Sequence, residues 1–391
     1  MITLKQALKI AFSNAEVDNI EQVDLIDSLG RVLARDVFSD VDMPPFNKSA
    51  MDGYACRRDD LHKELSLLEV IPAGSVPTKK IEEGQCSKIM TGAMVPEGAD
   101  VVFMVEHSEI LPSGKIKCVT GESRANICLQ GEDVKTGDKV LTAGTMIGAQ
   151  HVAVLASVGC TNPWVYVSPT IGVLSTGSEL IEPSGKPAIS QIRNSNGPQL
   201  CAQAKKHGFV YTYYGNVSDV KDLMRLAIQK SVNENDVTIL SGGVSVGDFD
   251  FVPSVIEDLG FTIHFNKINI KPGQHTTFAS RGSKYIIGLP GNPVSSFIQF
   301  EIFVLPFLHH LMNFAEKDFF LKLKLSHDYA RKKGDREECL PVELTENNEV
   351  RMANYNGSAH IHAYNRAFGY VCVAPGVQEI KKGEWVNVRP L

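Results

Sequence analysis

The sequence predicts a multidomain protein of mixed α/β and β class, with a parallel α/β sheet set between β-rich segments. Three observations carry this. At 391 residues and 42.8 kDa, the chain is long enough for two to four domains of about 150 residues each. Residues 46 to about 140 are short apolar runs cut by Gly, Pro and charged turns, the rhythm of a β-rich unit. From Val167 onward, apolar strand-like runs alternate with helical stretches, which implies a parallel sheet covered on both faces.

Composition narrows the class. Hydrophobic residues make up 43% of the chain and charged residues 21%, a globular balance and not a disordered one. The 32 glycines and 19 prolines are spread along the chain, which excludes collagen-like and low-complexity readings. With 39 basic against 45 acidic side chains, the formal net charge is −6. A general nucleic-acid binder shows a basic balance or stripe, so nucleic acid is not an expected partner. An anionic substrate would require positive charge concentrated locally. Eight cysteines include no CxxC pair, which leaves structural zinc and thioredoxin-type motifs unsupported. Their wide, irregular spacing predicts reduced thiols and a cytoplasmic setting. The N-terminus lacks signal-peptide form, its apolar stretch being interrupted by Lys5 and Lys9. The most apolar later stretch, Phe297 to Leu311, contains Gln299, Glu301 and Pro306. It reads as a buried helix, and no membrane partner is expected.

The elements follow in order. Leu4, Leu8, Ala11 and Phe12 repeat at helical spacing, and Thr3 with Gln6 fits a capping box. A short segment from Gln22 to Val37 leads to the Pro44-Pro45 pair. The runs LSLLEVI, ADVVFMVEH and KIKCVTG predict strands. TIGVLST predicts a buried strand, and PQLCAQAKKHG a helix closed by Gly208. A strand (VYTYYG), a helix (Asp219 to Val232), a strand (DVTILS) and a helix (Val252 to Leu259) come next. YIIGL and a long helix from Pro293 close the block. LKLKLSH, CLPVELTENNEVRMANY, YVCVAP and EWVNVRP return to short strands, with Asn347-Asn348 at a hairpin turn.

Five segments carry chemistry. In PFNKSAMDGYA, Asp52-Gly53 is a turn pair, and Asp52 either caps backbone amides or serves a site. Ser241-Gly242-Gly243-Val244-Ser245-Val246-Gly247 follows the strand DVTIL. Such glycines admit close backbone approach to a phosphate, while Asp248 and Asp250 are hard oxygen donors suited to Mg²⁺. A tight strand-to-helix turn with Asp250 as N-cap is the alternative. The pattern is neither a Walker A loop nor GxGxxG. Ser175-Thr176-Gly177-Ser178-Glu179 ends another strand, so two loops can converge on one crevice. Lys267 and Lys271 lead into Pro272-Gly273. In GLPGNPVS, Pro290 and Pro293 frame Gly291-Asn292 at a helix start, whose free amides suit an anion.

Together these segments resemble the MoeA family of molybdopterin molybdenumtransferases, which includes the E domain of gephyrin. The resemblance rests on PPFNKSAMDGYA, IMTGAMVPEGADVV, VLSTGSEL, ILSGGVSVGDFD, KPG and GLPGNPVS, in that order along nearly the whole chain. It implies a four-part, elongated homodimer. The expected parts are a discontinuous N-terminal linking domain (1–45 and 140–168) and a β-rich domain (46–139). A central MogA-like, molybdopterin-binding α/β domain (169–317) and a C-terminal β-barrel-like domain (318–391) follow. The implied reaction inserts molybdate into adenylylated molybdopterin, with Mg²⁺-dependent release of AMP.

Residue by residue, the resemblance implies catalytic roles for Asp52, Thr91, Asp219, Lys267 and Lys271. Glu179 and Asp250 become the Mg²⁺ ligands. Substrate binding falls to Ser241, Gly242, Gly243, Ser245 and Gly247, to Pro290, Asn292, Pro293 and Ser295, and to Arg336 and His362. Asp52 and Thr91 are expected to reach the α/β domain of the other subunit. A MogA-type adenylyltransferase is an implied partner. The chain departs from the family pattern at Cys128, at Gln274-His275 after KPG, at Pro341, and at His362-Ala363 in place of a serine pair. These changes remove cations or hydroxyls from the expected oxyanion region, where His275 and His362 are candidate replacement donors. Two other functions stand beside this one. They are a non-catalytic scaffold of the gephyrin type and the adenylyltransferase step itself, and the MDGYA segment and C-terminal β domain argue against the latter.

Overall fold

The computed structural model describes residues 1–17, 19–244, 251–315 and 319–391. The first helix, Leu4–Ser13, carries the reciprocal Thr3–Gln6 capping box. Its Ala7 and Ala11 are fully buried, and Phe12 stacks on His310 at 4.1 Å between ring centroids. The segment from Gln22 to Val37 is mostly extended around one 3₁₀ turn, Ile26–Ser28. Leu33 packs with Leu141, Ile147, Leu155 and Val165, so the chain on both sides of the β-rich segment shares one small core.

The β-rich segment forms a six-stranded sheet in the order Val101–Met104, Gly53–Cys56, Gln85–Ile89, Glu64–Ile71, Ile116–Cys118, Ser108–Ile110. The central sheet also has six strands. Their order is Tyr211–Val217, Ile171–Thr176, Val237–Ser241, Lys284–Leu289, Thr277–Arg281, Thr262–Phe265. Strand alternation sends Val173, Ile239 and Ile287 into one core and Leu174, Leu240 and Ile286 into another. Both faces are therefore covered, as near-continuous apolar strands require.

The expected parallel sheet is present, and two strands in antiparallel pairings extend it. The first four strands are parallel, Thr277–Arg281 runs antiparallel to Lys284–Leu289, and Thr262–Phe265 pairs antiparallel with Thr277–Arg281. The cause is local: Arg281 pairs with Lys284, leaving Gly282-Ser283 as a two-residue hairpin loop with Gly282 at φ 56°.

The helix from Pro293 to Leu311 is long and apolar enough to cross a membrane, yet most of it is buried in the protein. It is regular over Pro293–Gln299 and Leu305–Leu311, with a π-helical turn at Phe300–Val304. Pro306 cannot donate to a carbonyl one turn back, and the widened turn directly precedes it.

The last sheet runs Ile270–Lys271, Glu337–Leu344, Gly369–Val373, Trp385–Pro390, Leu321–Lys324, with Val350–Met352 beside Glu337–Leu344. Its first strand comes from the preceding part of the chain, so Lys271 pairs in parallel with Glu338. The expectation of reduced thiols fails for one pair: Cys339 and Cys372 form a disulfide. They are separated by 33 residues in sequence, but strand register sets them opposite each other with Cα atoms 4.0 Å apart. The other six cysteines are free.

Candidate active site

Three loops leave the carboxyl ends of adjacent parallel strands: 176–179, 241–244 and 289–293. They pack backbone against backbone. The Gly242 N–H donates to the Leu289 carbonyl at 3.0 Å. Gly242 has φ 98°, and a Cβ on it would lie 2.4 Å from the Thr176 carbonyl oxygen. Asn196, only 8% exposed, ties the group together. Its Nδ2 donates to Ser241 Oγ and to the Gly291 carbonyl, both at 2.8 Å. The crevice between these loops has a volume of about 630 Å³.

Glu179 and Asp219 supply its acidic end. Asp219 Oδ2 accepts from the Ser178 N–H at 2.9 Å, and the Asp219 N–H donates to Ser178 Oγ at 3.0 Å. These two bonds orient the Asp219 carboxylate at the crevice. Ser241, Gly242, Gly243, Pro290, Asn292 and Pro293 line the same crevice. One expected free amide is not free: the Val294 N–H donates to the Ser358 carbonyl at 3.0 Å.

Beyond His275, Pro290 and Asn292, the crevice continues into a second cavity of about 330 Å³. Lys271, Gln274, Ser295, Arg336 and Ser358 line it. Lys271, Arg336, Tyr355 and Gly357 are shared in turn with a third cavity, of about 520 Å³. Here Lys271, Arg331, Lys332, Lys333 and Arg336 face only Asp335 and Glu338, so an acidic chain holds a cationic cavity. Lys271 Nζ lies 2.6 Å from Glu338 Oε1, and Arg331 Nη1 lies 3.3 Å from Glu338 Oε2. Burial pushes the Tyr355 hydroxyl up to about 12.

Asp52 and Thr91 lie together but elsewhere. Asp52 Oδ1 accepts from the Thr91 N–H at 2.6 Å and from its hydroxyl at 2.7 Å. These bonds, the backbone one first, hold the Asp52 carboxyl below the usual carboxylate range. Both residues are exposed, and neither lines the three cavities. Lys267 lines none of them either. His362 lines none of the three either: it opens on a separate cavity with Glu343 and Arg366. Ser358 lines the second cavity beside the hydroxyls of Ser295 and Tyr355, and its Oγ accepts from Asn292 Nδ2 at 2.9 Å. Ser245, Gly247, Asp248 and Asp250 lie outside the described residues.

Sequence reasoning missed Asn196, Glu338 and Arg331. The signal available for Asn196 was the polar Asn194-Ser195-Asn196 run opening a helix just before Pro198. Asn196→Ala removes three side-chain hydrogen bonds, one accepted from Ser195 Oγ, and leaves Ser241 Oγ and the Gly291 carbonyl short of a donor. The expected loss is about 1–3 kcal/mol of folding stability, read from the denaturant midpoint.

The family model described as MoeA N-terminal region (domain I and II) matches residues 2–159. "Probable molybdopterin binding domain" matches 172–310, and MoeA C-terminal region (domain IV) matches 322–391. A curated Staphylococcus epidermidis protein named molybdopterin molybdenumtransferase is 40% identical over 319 residues, covering 80% of this chain and 76% of the relative. A Staphylococcus aureus protein of the same name is 36% identical over 322 residues, covering 81% and 77%. The solved structure of a molybdopterin biosynthesis MoeA protein from Pyrococcus horikoshii OT3 is 29% identical, with TM-score 0.83 and 100% of both chains covered. With relatives this similar over four-fifths of its length and a solved MoeA structure matched end to end, the chain belongs to the MoeA family.

Proposed function

We propose that this chain is a molybdopterin molybdenumtransferase of molybdenum cofactor biosynthesis, inserting molybdate into adenylylated molybdopterin and releasing AMP. One observation carries the reading. A crevice with an acidic end and Gly-rich loops runs through shared lining residues into a cationic cavity. A diphosphate substrate and a compact dianion therefore have adjoining places in one protein.

The loop backbone from Ser241 to Gly243 and the Pro290–Pro293 turn hold the substrate's phosphates. Lys271 and Arg336 attract molybdate, Arg336 with its fixed fork and Lys271 as a point charge. Glu179 and Asp219 fit Mg²⁺, because they are hard oxygen donors beside the phosphate loops and Mg²⁺ takes few protein carboxylates when phosphates complete its shell. Bound there, Mg²⁺ would neutralise charge on the diphosphate as its anhydride breaks. The exposed Asp52–Thr91 pair, which lines none of these cavities in its own chain, serves the crevice of a second copy in a homodimer. A MogA-type adenylyltransferase is the class of enzyme that supplies the substrate.

The test mixes the purified protein with adenylylated molybdopterin, molybdate and Mg²⁺. AMP release that depends on molybdate is expected. No AMP under these conditions would overturn the reading.

A further inference from the structure

We infer that Gln274 is a positioning and specificity residue for the oxyanion, resting on the functional reading above: it holds Arg336 and offers a neutral N–H donor beside it. Gln274 lines the second cavity together with Lys271 and Arg336. Its Oε1 accepts from Arg336 Nη1 at 2.9 Å. A guanidinium has donors only, so this contact settles which end of the amide faces Arg336. Nε2 must then point its two hydrogens away, and among the described residues it has no hydrogen-bond partner.

The main chain beneath is fixed as well. The Gln274 carbonyl accepts from the Ile268 N–H at 2.9 Å and from the Thr276 N–H at 3.1 Å. Residue 274 is therefore a rigid platform, not a mobile surface side chain. A lysine in its place would set a second cation against Arg336. Gln274 instead spends its acceptor on Arg336 and keeps its donors for a ligand.

The consequence is a subsite that grips a tetrahedral oxyanion with one cation fewer than a lysine would supply. Lys271 is already partly neutralised by Glu338 at 2.6 Å. Recognition shifts from net charge toward directed hydrogen bonds, which are less weakened by salt than exposed charge pairs.

The experiment is calorimetric titration of the full-length protein with sodium molybdate alone, for the unaltered chain, Q274M and Q274E. Q274M keeps the length and loses both the acceptor and the donors, so molybdate affinity should fall about tenfold, the worth of one or two neutral hydrogen bonds. Q274E keeps a strong acceptor for Arg336 but adds a charge facing the dianion, and should weaken binding about 100-fold or more. In turnover, the KM for molybdate should rise in both variants while that for adenylylated molybdopterin does not. If Q274M fails to fold, Q274E carries the test, because it retains the Arg336 contact. Binding in both variants equal to the unaltered chain would overturn the assignment and leave the functional reading standing. Absence of molybdate binding by the unaltered chain would overturn the functional reading, and the assignment with it.

Discussion

Replacing Glu338 by alanine is expected to lower folding stability by about 3 kcal/mol, at the low end of the range for breaking a buried ion pair. The carboxylate side chain is 7% exposed and the Arg331 side chain 6%, so water cannot substitute for the lost partner. The low end applies because Arg331 keeps other acceptors. Its Nε donates to the Val377 carbonyl at 2.7 Å, Nη1 to the Arg336 carbonyl at 3.0 Å, and Nη2 to the Ala374 carbonyl at 2.7 Å. Lys271 adds little to the loss, since its side chain is half exposed. The urea midpoint of Glu338→Ala against the unaltered chain checks this. An unchanged midpoint would show that the carboxylate does not stabilise the last sheet.

Gly242→Ala is expected to damage turnover more than any other single methyl in the crevice. The residue sits at φ 98°, which costs an L side chain roughly 1–2 kcal/mol. The new Cβ would stand 2.4 Å from the Thr176 carbonyl oxygen and 2.9 Å from its hydroxyl. Neither is the tip of a flexible side chain, so the 241–244 and 176–179 loops must separate. Overpacking of this kind costs about 1–3 kcal/mol more. A displacement near 1 Å in positioned phosphates lowers rate by about 100-fold. The AMP-release rate at saturating substrates measures the effect. A variant with normal turnover would show that the three loops need not touch.

The parts legible in the sequence were those whose signal is local. TIGVLST and DVTILS read as buried strands because both their faces are apolar, and the structure buries every residue of Ile171–Thr176 and Val237–Ser241. The glycine and proline loops after them were visible for the same reason: a tight turn needs particular residues at particular places. Thr262–Phe265 and Thr277–Arg281 gave no such signal. They mix polar and apolar residues and lie at the sheet's antiparallel end.

Long-range pairing was hidden throughout. Glu338 meets Lys271 only because the two-residue strand Ile270–Lys271 runs parallel to Glu337–Leu344, and Cys339 meets Cys372 only by antiparallel register. His362 illustrates the same limit from the other side. Its chemistry suits an anion, but the 3₁₀ turn Ile361–Tyr364 carries it to another cavity, while Ser358 reaches Asn292. Residue type suggested a role, and the path of the chain decided which side chain lines which cavity.

The strand Ile270–Lys271 belongs to the last sheet, whereas Thr277–Arg281 belongs to the central one. Residues 272–276 are thus a short strap riveted at each end to a different sheet, with Gln274 at its middle. Cutting the chain between the two sheets would not yield two intact pieces, because the last sheet would lose an edge strand that enters from far upstream. The cavity that Gln274 lines is a joint: its walls keep their spacing only while both sheets keep theirs.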